Sequence, residues 1–134
     1  MRLFFFAVIA AITFTSCSDN ANNQVKTDTK ITGELENYKG GHVVFERLET
    51  QQVVLEDTLQ VDEDGSFSYY VDCNAPSFYR IRLGQQNFFN FIISPKDQIT
   101  LTANADNLDA TYLVQGSDES ARLKELNNRM AKFY

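Results

Sequence analysis

Apolar and polar side chains alternate in short segments from Ile31 to Gln115, and this period of two residues predicts β-strands. β-branched and aromatic residues are frequent in these segments, as they are in strands of known proteins. No helical period competes with the alternation in this part of the chain. The predicted strands lie in residues 42–48, 53–61, 67–71, 78–83, 87–93, 99–103 and 112–115, with a first strand before Gly40.

Residues that favour turns separate the predicted strands. Gly40 and Gly41 separate the first two, and the loop 62–65 ends in Gly65, which can adopt a positive φ. Further turns are predicted at Pro76, Gly84 and 95–97. Because short connections favour antiparallel neighbours, we expect an all-β domain of about eight strands, folded as an antiparallel β-sandwich or a barrel-like domain.

The pattern changes to a helical period in residues 117–134. Ser117 is a predicted N-cap, and the acidic residues that follow it suit the positive end of a helix dipole. Apolar residues recur at helical spacing at Ala121, Leu123, Leu126, Met130 and Phe133. We expect an amphipathic helix of about 17 residues. It either folds back on the sheets or begins a connector to a further domain.

Residues 1–16 have the pattern of a removable signal peptide. Arg2 precedes an uncharged run of 12 residues, 3–14. As a helix this run would span about 18 Å, which is too short for the ~30 Å hydrocarbon core of a membrane. Residues 14–17, Phe-Thr-Ser-Cys, resemble the lipobox of bacterial lipoproteins, which implies cleavage before Cys17 and acylation of that cysteine. An ordinary secretory signal and a retained membrane helix are the alternatives.

The polar residues 17–30 have no apolar period and are interpreted as a flexible tether. The tether would join a lipid anchor on Cys17 to the β-domain at 31–116 and the helix at 117–134. The resemblance to lipoprotein signals implies a lipid anchor in a bacterial cell envelope. Together with the family resemblance given below, it implies the envelope of a Gram-negative bacterium, with the domain facing the periplasm.

Composition narrows the possible functions. The chain has 12 Lys and Arg against 18 Asp and Glu, a formal net charge of −6, which argues against nucleic acid as a partner and against a polybasic membrane patch. One His and two Cys cannot supply the usual four Cys/His ligands of a zinc site, and there is no Cys-x-x-Cys pair. We therefore expect no metal and no cofactor. No motif of an enzyme active site is present.

Five side chains form a candidate partner-binding face. Phe78, Arg80 and Arg82 alternate along one predicted strand and share one of its sides, and Phe88 and Asn90 alternate along the next strand. Arginine and aromatic residues contribute most of the binding energy at protein interfaces. The alternative is that the C-terminal helix covers this face.

Four other features have structural interpretations. Asp57 interrupts the apolar stripe of Val53, Leu55, Leu59 and Val61; we expect its carboxylate to accept backbone N–H groups or to meet an arginine, or a bulge to turn it outward. The acidic loop 62–65 suits a solvated turn better than a calcium site. His42 is expected at an exposed strand, and Cys73 as a partly buried apolar residue rather than a nucleophile.

A series of short motifs is distributed over residues 31–117. In order, these are Ile31-Thr32-Gly33, Asp57-Thr58, Val61 with 64–67, Pro76 before 79–81, 91–93 with 95–97 and Ile99, and 114–117. Their order and spacing resemble the N-terminal domain of unknown function (DUF4369-like) of lipid-anchored, thioredoxin-like thiol-disulfide interchange proteins of Gram-negative bacteria. Lys96 stands where that family usually has glycine.

The resemblance implies a non-catalytic module that positions or recognises partners, a thioredoxin-like domain or an envelope protein, while the redox motif itself is absent from this chain. A free-standing envelope lipoprotein that binds a glycan or a protein is the alternative. The third alternative is that the chain is an enzyme in its own right, which no residue pattern in the sequence supports.

Overall fold

The computed structural model describes residues 28–133, which form two four-stranded sheets enclosing one core. One sheet has the strand order β4-β1-β7-β8 and the other β3-β2-β5-β6. The expected all-β sandwich of eight strands is confirmed. The elements are β1 (Lys30–Glu36), β2 (Gly41–Leu48), β3 (Val53–Val61), β4 (Ser66–Tyr70), β5 (Ser77–Arg82), β6 (Phe88–Ile93), β7 (Gln98–Asn104), α1 (Leu108–Thr111), β8 (Leu113–Gln115) and α2 (Asp118–Met130).

One pair of neighbouring strands is parallel, which differs from the purely antiparallel sheets expected. β1 and β7 run side by side in the same direction, from Lys30 beside Gln98 to Glu36 beside Asn104. Parallel pairing needs a long crossover connection. Here the whole second sheet and β4 lie between the two strands in sequence, so that connection exists.

The core is built from the inward side of each alternating strand. Phe45 stacks on Tyr79 with ring centroids 5.1 Å apart, and Phe89 stacks on Tyr112 at 4.6 Å. These contacts join the strands within the second sheet and tie the sheet to the segment before β8. The alternation predicted for 67–71 and 78–83 is confirmed, because Phe67, Val71, Tyr79 and Ile81 are buried.

A β-bulge divides β3 into two halves with opposite phase. Phe45 pairs with Asp57 and the next residue, Glu46, pairs with Leu55, so Glu56 is the extra residue. An extra residue reverses which side chains face the core. Consequently, Leu59 and Val61 are buried whereas Val53 and Leu55 are 51% and 61% exposed. The expectation that all four share one buried face was wrong.

Asp57 avoids the burial that its place in the stripe suggested. It is exposed beside the bulge, and its Oδ1 accepts a hydrogen bond from the backbone N of Thr58 at 2.7 Å. The carboxylate is therefore solvent-exposed and locally hydrogen-bonded, so it needs no buried countercharge.

The helices differ from the sequence expectation in two respects. The single turn α1 was not predicted, because four residues are too few to show a helical period. The second helix begins as predicted, with Ser117 as N-cap accepting from Ser120 N at 3.2 Å, but it ends at Met130 and does not run on through residues 131–133. Its last turns are exposed, so tertiary packing does not extend the helix there.

The N-terminal boundary of the domain precedes Ile31. Thr29 is buried, and Lys30, which was assigned to the tether, is the first residue of β1. The predicted signal peptide, Cys17 and most of the predicted tether lie outside the described residues, as does Tyr134. Within residues 28–133 no helix is long and apolar enough to cross a membrane.

Candidate functional site

The cross-strand register arranges the outward side chains of the second sheet in rows. Val53, Leu48, Phe78 and Ile92 lie side by side across the four strands, and the next row is Leu55, Glu46, Arg80 and Asn90. A third row contains Val44, Arg82 and Phe88. We call these eleven residues the outer face. All five residues of the predicted partner-binding face belong to it.

The first row of the outer face is apolar and open to solvent. Phe78 is 46% exposed, and the bulge at Glu56 adds the exposed Val53 to the same row and the exposed Leu55 to the next row, both on β3 and separated from Phe78 by β2. In a β-sandwich the strands usually alternate between core residues and outward polar residues. An outward face that carries several large apolar side chains is therefore a candidate contact surface.

A carboxylate lies at the centre of the outer face, beneath two arginines. Arg82 donates from Nε and Nη2 to Oε1 of Glu46, at 3.1 and 2.8 Å, and these hydrogen bonds raise the pKa of Arg82. Nη1 of Arg80 lies 3.9 Å from Oε2 of Glu46. Although Glu46 points outward, it is only 7% exposed.

Sequence reasoning missed Glu46. The alternation in 42–48 places it opposite the buried Phe45, which identifies it as outward-facing. Its role depends on pairing with β5, a strand more than thirty residues later in the chain. The pattern of a single strand contains no information on that neighbour.

Arg80 is fixed from two sides. Its Nε donates to Oδ1 of Asn90 at 3.0 Å, and its guanidinium carbon lies 4.2 Å from the centre of the Phe88 ring. Phe88 and Asn90 thus lie on the same face as the arginines and hold the guanidinium in one orientation. Such a stacked and hydrogen-bonded arginine is prepared for a planar anion.

The second helix does not cover the outer face. Its first turn is joined to the free edge of β6: Oγ of Ser120 accepts from Ile92 N at 2.8 Å, and both Ser117 and Ser120 donate to Ile92 O at 2.8 Å. Beyond this attachment Leu126, Met130 and Phe133 are at least half exposed. The alternative in which the helix covers the face of Phe78 was therefore wrong.

A shallow cleft lies at the end of the outer face. It has a volume of about 740 Å³ and is lined by Leu48, the turn 49–52 and residues 76–78. Polar side chains dominate its rim, including Gln52, whose Nε2 donates to Oε2 of Glu49 at 2.9 Å. Phe78 belongs both to the cleft and to the outer face.

The remaining candidate residues are placed apart from this face. Cys73 is buried, its thiol donates to Ala75 O at 3.2 Å, and burial raises the thiol pKa, which does not suit a nucleophile. His42 is exposed on β2. In the loop 62–65, Oδ1 of Asp64 accepts from Ser66 N and Oγ, which lowers the pKa of Asp64. Within residues 28–133 no three His, Cys, Asp or Glu side chains are grouped to hold a metal.

Comparison with known proteins identifies the domain but not its activity. A family model described as a domain of unknown function (DUF4369) matches residues 29–123. The match spans all eight strands and the first turns of α2 and covers more than half of the chain. No curated protein matches the sequence.

Proposed function

This chain belongs to the DUF4369 family, a family of domains of unknown function, and from this premise we propose that it is a non-catalytic recognition module that contacts a protein partner through its outer face. The partner is a thioredoxin-like domain or another protein of the cell envelope. No chemistry is assigned to the domain itself; its contribution is to bind and position.

A single observation carries this proposal: the outer face combines uncovered apolar side chains with an oriented arginine. Phe78, Val53 and Leu55 lose water-exposed apolar surface when a partner covers them, which favours association. Arg80, stacked on Phe88, supplies a directional contact at the centre. The opposite sheet has no comparable row: the outward residues of β1 and β4 are polar except for Tyr70, and the exposed Tyr70 and Leu113 lie apart on the two edge strands, β4 and β8.

Photocrosslinking tests the role of this face. A photoreactive phenylalanine analogue placed at position 78 should give a discrete adduct in intact cells that express the chain. Position 70, a tyrosine that is 59% exposed on the other sheet, is the matched control and should give none. Equal adducts at both positions, or none at position 78, would contradict the proposal.

We further propose that the module is tethered to the envelope by lipid on Cys17, which the lipobox-like residues 14–17 support. Several acyl chains hold a protein stably, at ~0.8 kcal/mol per buried CH₂. The chain has two cysteines, so Cys73 is a built-in control. Cys17→Ser should abolish incorporation of labelled fatty acid while Cys73→Ser retains it. Retained label in Cys17→Ser would contradict the anchor.

The relation to thioredoxin-like proteins is proposed on the ordered motifs of residues 31–117. Sequencing of the gene beyond codon 134 tests it directly. A continuing frame with a Cys-x-x-Cys thioredoxin-like domain is the expected result. A stop codon with no such domain downstream would favour the free-standing lipoprotein.

The cleft beside Phe78 favours a glycan as the second candidate ligand. An exposed aromatic ring can stack on the C–H face of a sugar, and Gln51, Gln52 and Thr50 can hydrogen-bond to its hydroxyl groups. A glycan array probed with the full chain should then give hits that Gln51→Ala weakens. An array without a binder would eliminate this candidate.

A further inference from the structure

We propose that the outer face binds a short, largely apolar protein segment whose one essential charge is a carboxylate placed on Arg80. This inference rests on the proposed recognition role of the face and adds the chemistry of the partner. It assigns different tasks to the two arginines: Arg82 neutralises Glu46, and Arg80 receives the ligand.

The distribution of hydrogen bonds distinguishes the arginines. Arg82 directs two N–H groups to one oxygen of Glu46, Oε1, so these donors of Arg82 are already used within the domain. Arg80 donates only from Nε, to Asn90, among the contacts within residues 28–133. Its two terminal nitrogens therefore retain donors that can form the paired hydrogen bonds typical of arginine and carboxylate.

Glu46 attracts Arg80 without occupying these donors. Its Oε2 is buried, is 3.9 Å from Arg80 Nη1, and accepts no hydrogen bond from residues 28–133. Two arginines and one glutamate leave one positive charge at the centre of the face, on a chain whose formal net charge is −6. Charge complementarity therefore favours a ligand with one central negative charge.

Apolar side chains flank this centre on both sides. Val53, Leu48 and Phe78 form the row on one side, and Val44 and Phe88 lie in the row on the other. A ligand that places a carboxylate on Arg80 therefore brings its neighbouring side chains onto apolar surface. Exclusion of water around the ion pair strengthens it.

The dimensions of the face favour a segment rather than a second copy of the chain. Four strands at ~4.8 Å spacing and six residues at ~3.4 Å per residue give roughly 400 Å². A stable dimer of globular chains buries about 800 Å² on each partner. A face of half that size suits a helix of a few turns or an extended peptide.

Peptide selection tests this chemistry. A displayed library of random peptides is selected on the immobilised full chain, and the enriched peptides are measured on the wild type and on Arg80→Gln, Phe78→Ser and Arg122→Gln. Arg122 is exposed on α2 and serves as the matched arginine control. Denaturant midpoints of the variants establish that each is folded.

The expected peptides carry Asp or Glu among apolar residues and bind at least about tenfold more weakly to Arg80→Gln, a difference of about 1.4 kcal/mol. Changing the peptide's acid to its amide should weaken binding to the wild type equally, with little further loss on Arg80→Gln. Arg122→Gln should bind like the wild type.

The outcomes separate this inference from the proposed function. The claim that the ligand needs a carboxylate on Arg80 would be contradicted by enriched peptides that lack an acidic residue. It would also be contradicted by peptides that bind Arg80→Gln normally but do not bind Phe78→Ser. Both results would still support the outer face as the recognition surface. Peptides insensitive to both variants would contradict the face itself. If no peptide is enriched, the short-segment ligand is excluded, and crosslinking at position 78 decides on the face independently.

Discussion

Ser120 satisfies both backbone groups of Ile92: its Oγ accepts from Ile92 N and donates to Ile92 O, each at 2.8 Å. Ile92 lies on β6, the edge strand of the second sheet, whose other neighbour is β5. The first turn of α2 thus occupies this edge at Ile92, where the backbone groups can no longer pair with another chain. Because the helix is attached at the edge, it leaves the outer face uncovered.

Removal of the Ser120 hydroxyl should destabilise the domain. Ser120→Ala leaves the part-buried Ile92 N–H without its partner, which costs about 1–3 kcal/mol. The free energy of unfolding in urea measures the loss. Asn128→Ala, an exposed position of the same helix, is the control and should change stability by less than about 0.5 kcal/mol. Equal effects of the two substitutions would contradict the attachment of α2 to β6.

Gly33 should not tolerate a side chain. It pairs with Phe67 across β1 and β4, and a Cβ at Gly33 would lie 2.1 Å from Cζ of that ring. Gly33→Ala should therefore cost about 1–3 kcal/mol through overpacking. Gly84→Ala is the control, since nothing lies within 4 Å of a Cβ there.

The partner residue provides a second check on this contact. In Phe67→Leu the ring is absent, so the added cost of Gly33→Ala should fall by at least about 0.5 kcal/mol, measured as a double-mutant cycle. Strictly additive losses would show that the ring and the glycine do not contact each other.

Lys96 should be replaceable by glycine without loss. Its φ is +71°, a region that costs non-glycine residues roughly 1–2 kcal/mol. Lys96→Gly should be neutral or stabilising by up to about 1 kcal/mol, after subtraction of the entropy of glycine in the unfolded chain. Lys39→Gly, at an exposed loop position without a positive φ, should only destabilise. A loss in Lys96→Gly as large as in Lys39→Gly would contradict this backbone geometry.

Stability should decline in alkaline solution. Burial raises the pKa of Cys73, Tyr69, Tyr79 and Tyr112 above their ordinary values of 9.0 for the thiol and 10.0 for the phenols. As pH rises, the unfolded chain therefore loses these protons at a lower pH than the folded domain does. The contribution of these groups to the free energy of unfolding is fully present below about pH 8 and is lost progressively above it. Urea unfolding across this range measures the decline, which Tyr79→Phe should make shallower. A free energy of unfolding that is constant or rising up to pH 10.5 would contradict the burial of these groups.

The sandwich could be predicted from the sequence because the signals are local. Alternation along β5 identifies Tyr79 and Ile81 as core residues, and Gly65 marks a tight turn, where its φ is +85°. Each of these predictions needs only neighbouring residues. The capping serine of α2 was predictable for the same reason.

What the sequence does not reveal depends on contacts between distant segments. The bulge at Glu56 shifts the register of β3 against β2, and the sequence of residues 53–61 alone does not predict this bulge. The parallel pairing of β1 with β7 and the burial of Glu46 beneath Arg82 likewise require the assembled sheets. The five candidate residues could be assigned to a face, but the carboxylate that distinguishes Arg82 from Arg80 could not.

Amide NMR of the full chain, titrated with a peptide enriched on it, tests most directly the claim that the outer face recognises a protein segment. We predict shift changes that saturate and concentrate at residues 44–48, 78–82 and 88–92, while β4, β1, β7 and β8 stay within experimental error. Changes concentrated on the sheet β4-β1-β7-β8 or on the exposed side of α2, or no change at about millimolar peptide, where even a weak complex forms, would contradict it.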